Sequence, residues 1–130
     1  MATSELILKD QFVKFVGIEL LDAGDGMARA QLKIEEYHLN GLGIAQGGAI
    51  FTLADYAFAA AANSHEQVAV TLNSSIAFMR PVGKGVLTAV CREIARNRRT
   101  AFYTVDVLDE SGETVALFNG TAYLKSIDKG

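Results

Sequence analysis

The stretch from Asn40 to Ser64, NGLGIAQGGAIFTLADYAFAAAANS, constrains this chain more than any other. Glycines interrupt its first part, and from Ala49 onward the residues are apolar on nearly every side, with Asp55 the only formal charge. A surface helix shows one apolar stripe opposite a polar face, so a helix that is apolar all round is one packed inside a core. A run of about 17 residues with an acid near its middle does not read as membrane-spanning. The prediction is one core helix carrying one carboxylate.

An ionised carboxylate in such a helix costs several kcal/mol unless it is paired or hydrogen-bonded, and otherwise its pKa rises until it holds a proton. Asp55 is therefore either neutral or turned toward a polar cleft. A structural reading has its carboxyl bonding Thr52 one turn back, or sitting at a wet subunit boundary. A catalytic reading makes it a perturbed acid at a reaction centre.

A length of 130 residues fits a single domain, 1–130, with one core, and the hydrophobic half of its residues is ample for a globular fold. Twelve basic against fifteen acidic residues give a net charge of −3, which encodes no global attraction to nucleic acid. Cys91 is the one cysteine, so no disulfide can form within the chain, and its place in an alternating strand pattern predicts a buried, inert thiol. The N-terminus lacks a basic start followed by an apolar signal core, which predicts a cytoplasmic location. Nothing points to a membrane partner.

Residues 4–16 space Leu6, Ile7, Phe12, Val13 and Phe15 among charges as an amphipathic helix does, with Ser4 as its cap. Residues 17–22 and 27–34 alternate in strand fashion about Ala23-Gly24-Asp25-Gly26, a hairpin turn signal. The segment 35–48 has four glycines and no sustained period, yet Leu39, Leu42 and Ile44 argue for an ordered loop at a substrate. Strand patterns follow at 68–79, 86–94 and 100–108, and Asp109-Glu110-Ser111-Gly112 turns the chain into a last strand, 113–125. Short turns between strands give an antiparallel sheet, and the one buried helix is the element that can fill its concave face. The class is α+β.

Gly47-Gly48 lies where loop becomes helix. The first turn of a helix has unpaired N–H groups and the positive end of the macrodipole, which can hold a developing oxyanion, and glycine lets a substrate approach the backbone closely. Packing of the helix against the sheet would also call for glycine there. Asp55 is seven residues beyond Gly48, about 10 Å along the axis, too far for one reacting carbon to touch both. Two helices packed antiparallel across a two-fold axis remove the conflict, because the helix start of one chain then faces the acid of the other. A catalytic chain of this kind is expected to be at least a dimer.

The segment HLNGLGIAQGGAIFTLADYAFAAAANS, followed by a strand ending in FMRP, resembles the hotdog-fold acyl-CoA thioesterases of the phenylacetate-degradation (PaaI-like) type. The likeness covers nearly the whole chain, with Asn40-Gly41, Gly47-Gly48 and Leu53-Ala54-Asp55 at the family's spacing. It implies a hotdog fold, an antiparallel sheet wrapped around one long central helix with a short N-terminal helix, assembled as a homodimer with shared active sites and as a dimer of dimers. It implies Asp55 as nucleophile or general base, the Gly48 N–H as oxyanion donor, and Asn40 as the side chain orienting water or substrate across the dimer. Thr71 or Asn73, on the next strand, matches a polar residue that assists the acid. Gln46 stands where the family has His; its amide can donate a hydrogen bond to the thioester oxygen but carries no proton at neutral pH.

His38 is expected to be a solvated loop residue, and His65, beyond the helix C-terminus, to enjoy the favourable dipole. The run Arg96-Asn97-Arg98-Arg99, with Arg80 and Lys84 at strand ends, offers paired donors for the phosphates of coenzyme A, with Arg80 and Arg98 the candidates; a solvated turn that protects sheet edges is the alternative. Gly47 and Asn73 complete the expected substrate-binding set. Phe51, Tyr56, Phe58 and Phe78 are candidates for the acyl pocket or for plain core. No metal-ligand spacing or dinucleotide fingerprint occurs, and coenzyme A enters as part of the substrate, so no cofactor is expected. The expected activity is hydrolysis of an aromatic or medium-chain acyl-CoA. A non-catalytic acyl-CoA binding module and a hydratase on the same fold are the alternatives.

Overall fold

The computed structural model describes residues 3–125. The N-terminal segment folds as two short helices, α1 (Thr3–Ile7) and α2 (Gln11–Val16), where the spacing predicted one. Asp10 breaks the run: its backbone is extended and its carboxylate accepts the Val13 N–H at 3.0 Å, which starts a new helix. Gly17 ends that helix at φ 95°, a left-handed conformation that glycine adopts without penalty. The side chain of Ser4, the predicted cap, lies outside the described residues.

The hairpin forms as predicted. Strands β1 (Ile18–Gly24) and β2 (Met27–Lys33) run antiparallel with Gly24 opposite Met27. The two residues between them, Asp25 and Gly26, have φ of 52° and 80°, the mirror-image turn whose twist matches that of the strands. A loop with one 3-10 turn (Glu36–His38) then leads to α3 (Gly47–Ala62), followed by β3 (Val68–Phe78), β4 (Val86–Arg96), β5 (Thr100–Leu108) and β6 (Thr114–Lys125).

All six strands join one antiparallel sheet in the order β1-β2-β4-β5-β6-β3. The chain leaves β2 near one edge and enters β3 at the other, so α3 crosses the sheet and touches every strand. Small residues make the crossing close: Ala54, Ala57, Ala60 and Ala61 are buried against the strands, while Leu53 and Phe58 supply the bulk. Each of the two large side chains contributes roughly 1.5–3 kcal/mol by leaving water. Phe58 lies directly over Gly120 of β6, where an added Cβ would come within 2.9 Å of the ring. Facing α3, the central strands bury alternate residues, as in Ala28, Ala30 and Leu32 of β2 and Leu87, Ala89 and Cys91 of β4.

The result is the hotdog arrangement, one helix wrapped by one sheet. Strand β3 is its exception, since none of its eleven residues is buried and its outer edge has no partner among the described residues. No helix among the described residues is long and apolar enough to cross a membrane.

Candidate active site at the start of the central helix

The loop before α3 is ordered by its own polar groups. Asn40 holds it: its side-chain oxygen accepts the N–H groups of Leu42 at 2.9 Å and Ile44 at 3.4 Å, while its backbone N–H donates to the Ile44 carbonyl at 2.8 Å. The Asn40 amide NH2 keeps no partner among the described residues and is free to donate to a ligand. The Ala45 N–H then donates to the Val82 carbonyl at 2.7 Å and the Gln46 N–H to the His38 carbonyl at 2.8 Å, which fixes the entry to the helix.

Gln46 caps α3. Its side-chain oxygen accepts the Gly48 N–H at 2.5 Å, so the predicted oxyanion donor is held by its own neighbour in this structure. Gly48 is exposed, and one turn on the Thr52 hydroxyl donates to the Gly48 carbonyl at 2.7 Å. That bond occupies the hydroxyl on which one of the two structural readings of Asp55, a bond to Thr52, relies. Asp55 lies on the same helical stripe at the next turn, half-buried, and its carboxylate has neither hydrogen bond nor ion pair among the described residues. Burial raises its pKa above the ordinary aspartate value, and the charge of Asp10 raises it further. Asp55 is thus a half-buried carboxylate, unpaired among the described residues, whose pKa is raised by burial first and by the Asp10 charge second.

Two grooves flank the helix start. One, of about 220 Å³, lies between α2 and α3 and is lined by Phe12, Phe15, Tyr37, Gln46, Gly48 and Thr52. The other, of about 340 Å³, lies on the side of Gly47 and is lined by Asn40, Ile44, Phe78, Met79 and Arg80. Asn40, Gln46, Gly47, Gly48 and Arg80 thus gather around one helix end. Asp55 is two turns away within the chain, and Thr71 and Asn73 stand exposed on β3, on either side of a bulge at Leu72. Neither of these two hydrogen-bonds Asp55 within the chain.

Of the four aromatic candidates, Phe78 lines one of these grooves. Phe51 and Phe58 pack edge-on and tilted against Phe118, Phe58 also meets Tyr103, and the buried Tyr56 donates its hydroxyl to the Ile7 carbonyl at 3.1 Å. The groove aromatics that sequence reasoning did not single out are Phe12, Phe15 and Tyr37, of which Phe15 is 83% exposed. The signal available was the aromatic side of the N-terminal amphipathic pattern.

Arg80 and Arg98 do not meet in one chain. Arg80 pairs with Glu113 at 2.9 Å beside the start of β6, whereas Arg98 belongs to the β4–β5 turn at the other end, where the Leu124 N–H donates to the Arg99 carbonyl. The length of β6 separates them, more than about 30 Å for a strand of this size. His38 corrects its expectation: it is buried rather than solvated, with Nδ1 accepting the Glu35 N–H at 2.9 Å and Nε2 donating to the Val16 carbonyl at 2.7 Å. The loop folds back over α2, which no local pattern announces. His65 sits at the far end of α3, paired with Glu93 at 3.0 Å, and Glu93 also accepts from Tyr103 and Arg96.

The fold and the polar cluster at the helix start together define a hotdog domain built around a helix N-terminus and a buried-helix acid. The family model for the thioesterase superfamily matches residues 42–116, more than half of the chain, and the chain belongs to that superfamily. Within it the chain is PaaI-like. It is 34% identical over 115 residues to the acyl-coenzyme A thioesterase PaaI of Escherichia coli, covering 88% of this chain and 82% of that protein. The solved structure of E. coli PaaI superposes with a TM-score of 0.90 at 30% identity, over 96% of this chain and 91% of that one. A mutant of the phenylacetic acid degradation protein PaaI from Thermus thermophilus superposes with a TM-score of 0.84 at 38% identity, over 88% and 98%.

Proposed function

We propose that this thioester hydrolase cleaves an acyl-CoA to the free acid and coenzyme A, with Asp55 as general base or nucleophile and the Gly48 N–H of the partner subunit as oxyanion donor. The observation that carries the reading is Asp55: a half-buried carboxylate, unpaired among the described residues and raised in pKa, on a helix whose first turn is exposed at Gly48, where the Gln46 side chain holds the N–H. The E. coli PaaI and human acyl-coenzyme A thioesterase 13 relatives, the latter 29% identical over 111 residues, support acyl-CoA as the substrate class.

In the water route, Asp55 takes a proton from water as the oxygen adds to the thioester carbon. The carbonyl oxygen becomes an oxyanion on the Gly48 N–H, and collapse breaks the C–S bond; the departing thiolate takes up the proton. In the direct route, the carboxylate itself adds, the coenzyme A thiolate leaves and a mixed anhydride forms, which water then opens at the Asp55 carboxyl carbon. Single turnover in 18O-water separates the two, since water attack labels the product acid and direct attack labels the Asp55 carboxylate.

The two groups are about 10 Å apart along one helix, so a shared site needs a second subunit. The open β3 edge, with Val70 and Leu72 exposed upon it, supports a dimer in which the edges pair and the sheets become continuous. The aromatic wall of the α2 groove supports an aryl or medium-chain acyl group, and the free NH2 of Asn40 supports a role in orienting water or substrate.

The test is thiol release from a panel of aryl, short, medium and long acyl-CoAs by wild type and Asp55→Ala, both confirmed as folded dimers. The expected result is turnover of aryl or medium-chain substrates and a loss of at least about a hundredfold in the variant. Binding without thiol release in wild type would instead mark an acyl-CoA binding module.

A further inference from the structure

The end of α2 and the loop before α3 are tied together through one side chain. His38 is buried, and its ring is bonded at both nitrogens: Nδ1 accepts the Glu35 N–H at 2.9 Å and Nε2 donates to the Val16 carbonyl at 2.7 Å. The tautomer with its hydrogen on Nε2 satisfies both partners at once. The backbone of the same residue takes part, because the His38 carbonyl accepts the Gln46 N–H at 2.8 Å and so holds the residue that opens α3.

Val16 is the last residue of α2, where a carbonyl has no partner within its own helix. A helix of six residues that buries only Val13 cannot hold itself in place and depends on ties of this kind. Its Phe12 and Phe15 are 62% and 83% exposed, and they line the groove of about 220 Å³ beside the start of α3. Tyr37 lines the same groove, and its ring lies against that of His38 with centroids 4.4 Å apart.

We infer that His38 is a positioning residue for the substrate: its ring bolts α2 to the loop, holds Phe12 and Phe15 at the groove, and so sets affinity for the acyl part of the thioester. The inference rests on the reading in which that groove takes the acyl group. His38 acts through the wall it holds and not on the reacting atoms.

Two substitutions separate the two ring bonds. The glutamine amide reaches to where Nε2 lies, so His38→Gln keeps a donor for the Val16 carbonyl. The shorter asparagine reaches only to where Nδ1 lies, so His38→Asn keeps an acceptor for the Glu35 N–H and drops the tie to α2. Both variants lose the ring, and a residue that only supported the fold would show the same loss in each. With an aryl-CoA, His38→Asn should raise KM about 2- to 10-fold, the range that one net hydrogen bond spans, and leave kcat within about twofold of wild type. His38→Gln should keep KM within about twofold of wild type. Phe15→Ala, at an exposed position, should raise KM and add nothing further in the His38→Asn background, where the wall is already loose.

Equal KM in the two His38 variants overturns the inference, and so does full additivity of His38→Asn with Phe15→Ala. A fall in kcat at unchanged KM overturns it as well, since His38 would then act on the reacting groups. If the asparagine variant does not fold, Phe15→Ala decides: an unchanged KM sinks the inference, and a raised KM beside a wild-type KM in His38→Gln supports it. All of these outcomes leave the thioesterase reading intact as long as wild type turns over. Absence of turnover by wild type across the whole acyl-CoA panel removes that reading, and the role of His38 with it.

Discussion

Asp10 and Asp55 are linked across the contact between α2 and α3: the Asp10 carboxylate caps α2 through the Val13 N–H at 3.0 Å, and its charge is the one charged group that raises the Asp55 pKa. The residue that breaks the N-terminal helix in two therefore also tunes the candidate base. In wild type the acid limb of kcat/KM should lie above the ordinary aspartate value of 3.8, because the raised carboxylate must lose its proton before it acts. Asp10→Asn keeps a good N-cap and removes the charge. Its acid limb should move to lower pH, with activity at pH 7 within about threefold of wild type. A limb that does not move in the asparagine variant removes Asp10 from the site's electrostatics.

The same carboxylate opposes folding at neutral pH. Its folded pKa lies above its unfolded one, so the folded state holds more protons between the two values and stability falls as pH rises through that window. Asp55→Asn abolishes the titration. The variant should lose at least about a hundredfold in turnover and yet melt above wild type at pH 7, with the advantage shrinking as pH falls toward the ordinary aspartate value. Thermal melts at pH 4 and pH 7 check this, and a variant less stable than wild type at pH 7 would mean that Asp55 makes a stabilising bond.

A shared site can be rebuilt from two broken chains. Gly48→Pro deletes the donor at a first-turn position where the N–H serves no helical bond, and should cost about 10² to 10³ in kcat. Mixed with Asp55→Ala and allowed to exchange subunits at equal amounts, it should restore about a quarter of wild-type activity, since half the dimers are hybrids and each hybrid has one intact pair. Mixtures as inactive as their parents would place both groups in one chain. A charge on the free edge, Val70→Lys, should give monomers in sedimentation and lose activity with the dimer.

Phe58 over Gly120 makes a packing prediction independent of the chemistry. A methyl group at position 120 would meet three ring atoms at 2.9–3.0 Å, and the buried ring has nowhere to turn. Gly120→Ala should cost roughly 1–3 kcal/mol in chemical unfolding. At Gly47 an added Cβ meets the Phe78 ring at a similar 3.0 Å, but Phe78 is 53% exposed and free to rotate. Gly47→Ala should therefore leave stability nearly unchanged and alter turnover instead, because Phe78 lines the groove.

Strand and helix periods were legible because β2 and β4 bury alternate residues and most of α3 is buried, so pattern and burial coincide at Ala28, Ala30 and Leu32 or at Leu53 and Phe58. Asp55 was legible for the complementary reason, a charge where the pattern allows none. What escaped was set by contacts distant in sequence. His38 is buried because the loop closes over Val16, and Phe12 and Phe15 form a groove wall only because α2 lies beside the start of α3. The cap on Gly48 was hidden by chemistry: glutamine is a poor prediction for an N-cap, and at Gln46 attention falls on what its amide can donate rather than on what its carbonyl accepts. Arg80 and Arg98 looked like neighbours because turns collect basic residues, and the strand order assigns their turns to opposite ends of the sheet.

Cys91 is fully buried on β4 beneath α3, and burial pushes its thiol up to about 12. A thiol so held is neither reachable nor ionised at neutral pH, and it stays silent toward the colour reagents that count liberated coenzyme A. The folded chain therefore contributes no background to its own assay. Any slow rise in signal without substrate, reaching one equivalent per chain, reports the opening of the sheet around the helix, so the reaction vessel that measures turnover also carries a clock for unfolding.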